Sequence, residues 1–125
     1  MTYLDTHAAV MLYQGDTRRF SRETLQVLAA DDDLRISPMA YLELEYLREI
    51  KRIKISASRI VQVLQADLGM KICDLPFAAV VARALAEKWT RDPFDRLIVA
   101  QAKLHNATLV TCDREILRRY AQAIC

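Results

Sequence analysis

The stretch RDPFDRLIVAQA, residues 91–102, supports two readings at once. Asp92, Pro93 and Asp95 form a helix cap, a first-turn proline and an acid at the third helical position, a capping-box-like start. The helix that follows is apolar nearly all round. Leu97, Ile98, Val99, Ala100, Ala102 and Leu104 leave only a narrow polar edge at Arg96 and Lys103. Such a helix is buried on most of its circumference. Its N-terminus therefore turns carboxylates and the positive end of a helix dipole toward the interior. Asp92 suffices as the cap. Asp95 lies on the row of Val99 and Ala102, away from the basic edge, and has no local cation.

Outward from this helix, four short apolar runs alternate with longer helical patterns. The runs are Thr2–Leu4, Leu34–Ser37, Lys71–Cys73 and Thr108–Cys112, each too short for a helix and bounded by polar or turn residues. A fifth, edge strand is expected at Ala123–Cys125. Helical patterns cover Ala8–Tyr13, Arg18–Ala30, Pro38–Lys51, Ala57–Gly69, Pro76–Lys88 and Phe94–Asn106. The alternation predicts an α/β domain with a mainly parallel central sheet. Ser37-Pro38 and Asp92-Pro93 read as cap and first-turn proline, Ser56 as a cap, and Gly69 as the terminating glycine. With 125 residues, 53% of them hydrophobic, residues 1–125 form one domain with a real core. Only two glycines are present, so no glycine-rich phosphate loop exists.

A net charge of +2 identifies no partner class. Cys73, Cys112 and Cys125 are odd in number and widely spaced, with no C-x-x-C pair. That argues against a disulfide framework and a structural zinc site, and reads Cys73 and Cys112 as buried thiols in a reducing compartment. Asp5 and His7 stand where a signal peptide would need an apolar run, and no run is long enough to span a membrane. The expected location is the cytoplasm, with no membrane partner.

In an open parallel sheet, ligands bind beyond the carboxyl ends of the strands. Asp5 follows the first strand and Asp113 the fourth, so both emerge at the same sheet edge. Each alone reads equally well as a helix cap. The helix from Pro38 adds a third acid. Met39, Ala40, Tyr46, Leu47 and Ile50 form an apolar stripe at 100° per residue, with Glu43 in its middle. Glu45 falls on the opposite side at salt-bridge spacing from Arg48. A carboxylate on a core-facing stripe wants a cation: a buried arginine or a metal. Asp5, Glu43, Asp95 and Asp113 gathered at one edge would repel one another. A divalent metal reverses that cost, and a set of hard oxygen ligands suits Mg²⁺ or Mn²⁺. Oxygen-liganded metal is a platform for phosphodiester hydrolysis. Thr6 and Thr111, beside two of the acids, are candidates for positioning water or for capping backbone.

Together, YLDTH (3–7), SPMAYLELEYL (37–47), RDPFDRLIVAQA (91–102) and LVTCDREI (109–116) resemble the PIN-domain ribonucleases, and among them the VapC toxins of bacterial toxin–antitoxin pairs. The segments occur in family order and span nearly the whole chain. The resemblance implies a three-layer α/β/α fold and a metal-dependent RNA endonuclease. It also implies a homodimer neutralised by a cognate antitoxin protein. Carried over by position, Asp5, Glu43, Asp95 and Asp113 match the four family acids, with Asp5 and Asp95 as direct metal ligands. Asp92 belongs to the D-P-F-D-R variant, either in the inner shell or as a cap only. Glu45 is a nearby alternative to Glu43, which the helical projection favours.

Of the scattered basic residues, Arg91 and Arg96 flank the acidic edge and are candidates for holding RNA phosphates. The others, including Arg18, Arg19 and Arg22, read as solvated faces. Trp89 is a candidate for stacking on a base or for the core. Leu12, Tyr13 and Ile53–Ile55 suit either a subunit contact or the core. Two further readings remain: a receiver- or flavodoxin-like regulatory domain, and a catalytically inactive RNA-binding module.

Overall fold

Five short strands are separated by seven helices in the computed structural model, which describes residues 1–125. The strands are β1 (Thr2–Leu4), β2 (Leu34–Ile36), β3 (Lys71–Ile72), β4 (Thr108–Val110) and β5 (Ala123–Ile124). The helices are α1 (Thr6–Gln14), α2 (Arg22–Ala30), α3 (Pro38–Glu49), α4 (Ala57–Leu68), α5 (Phe77–Ala84), α6 (Pro93–Leu104) and α7 (Arg114–Arg119). All four strand pairings are parallel, in the order β3-β2-β1-β4-β5. Helices cover both faces, giving the expected three-layer α/β/α architecture.

The strand order decides where a ligand would bind. From β1 the chain steps outward through β2 to β3, then returns to the other side of β1 for β4 and β5. The switch point lies between β1 and β4, and their carboxyl ends carry Asp5 and Thr111–Asp113. The core lies directly beneath that edge. Tyr3, Leu4, Ile36, Leu109 and Val110 are fully buried in the sheet, against Leu44, Ile60, Leu64, Ile98, Val99 and Ile116 from the helices. Every residue of α6 from Leu97 to Ala102 is buried, as its apolar circumference requires.

Several boundaries shift for local reasons. Asp5 accepts the amide of Ala8 at 2.7 Å, so α1 starts at Thr6 rather than Ala8. Ser21 accepts the amide of Thr24, so α2 starts at Arg22 rather than Arg18. α5 ends at Ala84 rather than Lys88. The short, arginine-rich α7 has no counterpart in the periodicity reading. On α3 the buried line runs through Ala40 and Leu44, whereas Tyr46 and Ile50, expected on the core stripe, are 47% and 44% exposed. No helix is long and apolar enough to cross a membrane.

The cysteine expectation is corrected. Cys112 and Cys125 form a disulfide, with Cα atoms 4.8 Å apart, and only Cys73 is a buried free thiol. The pairing follows from topology: β4 and β5 are parallel neighbours, so the residues just beyond their ends meet. The bond closes a loop of sequence separation 13. Closing a loop of that size is worth about 3 kcal/mol of denatured-state entropy. Dithiothreitol is expected to lower the urea midpoint of the oxidised protein accordingly. A midpoint indifferent to reductant would show that the bond does not form in solution.

Candidate active site

Three of the candidate acids are helix caps, and the caps aim them. Asp5 caps α1, Asp92 caps α6 and Asp113 caps α7. Asp92 takes the amides of Phe94 (2.8 Å) and Asp95 (3.2 Å) on the same oxygen, Oδ1. Asp113 likewise takes Glu115 (2.8 Å) and Ile116 (3.0 Å) on Oδ1. In both, Oδ2 accepts no hydrogen bond. The capping and functional readings are therefore compatible: one oxygen fixes the carboxylate and the other remains available. Three positive helix ends at one edge also moderate the negative charge collected there.

Asp5 is the most enclosed, 5% exposed. Its backbone amide donates to Val110 O at 3.0 Å, which fixes it across the switch point. Its Oδ2 accepts the Thr111 hydroxyl. Thr111 in turn accepts the Asp113 amide at 3.1 Å, so one side chain orients two acids. Burial pushes the Asp5 carboxyl above the usual carboxylate range. Its bonds to Thr111 and Ala8 and the charge of His7 pull it back, and Asp113 adds to the rise.

Glu43 and Asp95 arrive on α3 and α6. The two helices are joined by a stacked pair, Tyr46 and Phe94, with ring centroids 5.7 Å apart. Each ring neighbours an acid, three residues from Glu43 and one from Asp95. Burial raises the Glu43 carboxyl; the Thr6 hydroxyl and His7 draw it down, while Asp92 and Asp5 push it up. The reciprocal half of the capping box at α6 is not made. The Asp92 amide donates to Thr90 Oγ1 at 3.1 Å instead of to Asp95. Asp95 is thus left without a hydrogen-bond donor, and its carboxyl is pushed up to about 7, first by burial and then by Asp92, Glu43, Asp113 and Asp5. Asp5, Glu43 and Asp95 are thus each raised by burial and by other acids of the group. No three acidic, histidine or cysteine side chains stand close enough to form a ready-made metal cage.

The two threonines differ. Thr111 is engaged with Asp5. Thr6 Oγ1 is buried and has no partner in hydrogen-bond geometry, although it lies close enough to Glu43 to favour its charged form. Of the arginines, Arg91 is exposed. Arg96 turns back to donate to Ala84 O (3.2 Å) and Leu85 O (3.4 Å), closing the end of α5. Glu45 pairs with Arg48, as its helical position predicts. Trp89 Nε1 donates to the buried Glu87 at 2.7 Å, and Glu87 also binds Lys103 and Arg83.

Sequence reasoning passed over two residues at the site. His7 and Arg19 line a cleft of about 210 Å³ with Asp5, Cys112 and Asp113. The position of His7, in the first turn after Asp5, was a legible signal. Arg19, read from the sequence as part of a helical pattern and a solvated face, lies instead in the loop before α2.

A parallel sheet with acids gathered at its β1/β4 switch point defines a class, and comparison with known proteins names it. The PIN domain family model matches residues 2–122, and the chain belongs to the PIN-domain family. Its kinship is with the VapC-type nucleases. It is 31% identical over 114 residues to Ribonuclease VapC22 of Mycobacterium tuberculosis, covering 90% of this chain and 87% of that protein. Among solved structures, a toxin-antitoxin complex from Klebsiella pneumoniae contains a chain superposing with TM-score 0.69 at 21% identity, over 100% of this chain and 97% of that one. VapBC2 from Rickettsia felis, bound to a DNA fragment from its promoter, gives 0.65 at 24% identity, over 94% and 92%. Those two likenesses speak to the fold alone.

Proposed function

We propose that this protein is the toxin of a toxin–antitoxin pair and cleaves RNA phosphodiester bonds at the edge built by Asp5, Glu43, Asp92, Asp95 and Asp113. The observation that carries the reading is the gathering of acids at the β1/β4 switch point: Thr111 links Asp5 to Asp113, which line one cleft, and Asp95, with no hydrogen-bond donor, is pushed up to about 7 by burial and by the other four acids. A purely structural cap cluster gains nothing from concentrating charge in this way; a site that receives a cation does. The donor set fits a hard divalent ion, Mg²⁺ or Mn²⁺. All donors are carboxylate or hydroxyl oxygens, and the buried Thr6 hydroxyl lacks a partner. Asp5 and Asp95 are the residues to hold it. Bound there, the ion supplies Lewis acidity and a water of lowered pKa. Thr111 and the Ala8 amide hold Asp5 in one orientation. Glu43, Asp92 and Asp113 would accept protons of water, and the Thr6 hydroxyl, beside Glu43, would orient one. RNA would enter over the exposed side, where Asp92 and Asp113 present their unbonded oxygens and Arg91 is accessible.

The test is incubation of the purified protein with a labelled structured-RNA pool, in Mg²⁺, in Mn²⁺ and in EDTA. Cleavage in metal but not in EDTA is expected. A well-folded protein that leaves every RNA intact would favour a binding module, in which Asp5 is a cap only.

The antitoxin is proposed because the Klebsiella pneumoniae chain of matching fold belongs to a toxin-antitoxin complex. A homodimer is supported by two apolar rows. Leu42 and Tyr46 on α3 with Ile50 at its C-terminal cap, and Phe77 and Val81 on α5 with Leu85 at its C-terminal cap, recur at four-residue spacing and are all exposed, Phe77 and Leu85 by 64% and 63%. By contrast Leu12, Tyr13 and Ile53 pack against the core. Leu85→Glu is expected to yield a folded monomer in sedimentation velocity. An unchanged sedimentation coefficient in a dimeric protein would place the interface elsewhere.

A further inference from the structure

Arg19 sits at the mouth of the acidic cleft and makes no ion pair. We propose that it is the residue that grips a backbone phosphate of RNA beside the acids; the inference rests on the nuclease reading above. Its place is set by the backbone around it. Phe20, next in sequence, is buried in the core, and the Ser21 amide donates to Cys125 O at 2.9 Å. The loop from Asp16 to Ser21 is thereby docked on the disulfide-joined ends of β4 and β5. Arg19 Nη2 reaches Cys112 O at 3.5 Å, one residue before Asp113. That contact is at the limit of a hydrogen bond and leaves the guanidinium fork available.

Several other cations are engaged elsewhere, and Arg91 and Arg114, which make no ion pair, do not line the cleft. Arg18 turns away and holds Asp16 through two bonds, 2.9 and 3.0 Å. Arg96 closes α5. Arg83 and Lys103 belong to Glu87, Arg48 to Glu45 and Arg35 to Asp33. Arg19 is the one arginine or lysine lining the cleft with Asp5, His7 and Asp113, and it pairs to neither acid. Five acids at one edge repel a phosphodiester even with one divalent ion among them. A planar, permanently charged fork beside them offers bidentate contact to two phosphate oxygens and sets the register of the strand.

The experiment measures binding of a single-stranded RNA oligonucleotide to Asp95→Asn protein across a salt series, with Arg19→Ala, Arg19→Lys and Arg18→Ala added in turn. Arg19→Ala is expected to weaken binding about tenfold and to reduce the slope of log affinity against log salt by about 0.7. Arg19→Lys should restore the slope while recovering only part of the affinity, because it keeps the charge and loses the fork. Arg18→Ala should match the parent. Arg19 is exposed, so these variants keep the parent's melting temperature. Arg19→Ala with the parent's affinity and slope overturns the assignment, and cleavage of the RNA pool by wild-type protein would show that the nuclease reading survives it. Absence of both RNA binding and cleavage overturns the two together.

Discussion

Asp95→Asn is expected to reduce RNA cleavage by about 10³-fold while making the metal-free protein more stable. The opposed signs follow from one cause. Asp95 has a folded-state pKa of about 7 against an ordinary value of 3.8. The folded state therefore binds this proton more tightly than the unfolded chain does. Between those two values the native protein carries more proton than the denatured one, so stability falls as pH rises through the window and is lowest above it. Asparagine removes the charge and with it the penalty. Discounted for the solvent that reaches the carboxylate, the gain is about 1–2 kcal/mol above neutrality and vanishes near pH 4. Mg²⁺ or Mn²⁺ should act on the wild type in the same sense, adding about 2.7 kcal/mol at a hundred times the dissociation constant. The variant, lacking a ligand, should gain much less. Loss of cleavage on that scale matches removal of a ligand of the metal that would stabilise transition-state charge. Melting curves at about pH 5 and pH 8, with metal and with EDTA, decide the matter together with the cleavage assay. A variant that melts below wild type in EDTA at the higher pH would make Asp95 a structural residue and defeat the prediction.

The acids were legible in the sequence because each occupies a position that secondary structure determines. Asp5 and Asp113 end strands, Glu43 sits among apolar neighbours on α3, and Asp95 opens a helix too apolar to be solvated. Parallel pairing then brings strand ends together without further information. What escaped the sequence depends on tertiary placement. The disulfide needs β5 beside β4, and nothing in the spacing of Cys112 and Cys125 says that it is. Tyr46 and Ile50 lie near the core direction of α3 yet are exposed, because periodicity gives the face of a helix and not where the helix runs past its support. Leu44 is fully buried on that helix and was left out of the stripe. Asp95 looked like half of a capping box. The competing bond from the Asp92 amide to Thr90 frees it, and that choice belongs to the loop. Arg19 illustrates the same limit: a loop residue reaches the site only through the docking of its neighbours.

The distinction between Glu43 and Glu45 gives the second large effect. Both lie on α3, two residues apart, so propensity, length and local charge are nearly matched between them. Their surroundings differ. The Glu43 carboxyl is raised by burial and by Asp92 and Asp5, and it faces Thr6 and His7. Glu45 pairs with Arg48 and accepts the Ala57 amide at 3.4 Å, tying α3 to the start of α4. Glu43→Gln is therefore expected to lower cleavage by about 10²-fold, the scale for a group that supports the ligands of a metal. It should leave the fold intact, because a neutral amide replaces a charge that burial disfavours. Glu45→Gln should change cleavage by less than about twofold. It should cost no more than about 0.5 kcal/mol of stability, the worth of one solvent-exposed helical ion pair. Initial cleavage rates on the same RNA at saturating Mn²⁺, with urea midpoints for both variants, supply the comparison. Equal loss of activity in the two would mean that α3 acts by holding its position against α4 rather than by presenting Glu43. The acidic edge would then consist of the carboxylates at the ends of β1 and β4 and at the start of α6 alone.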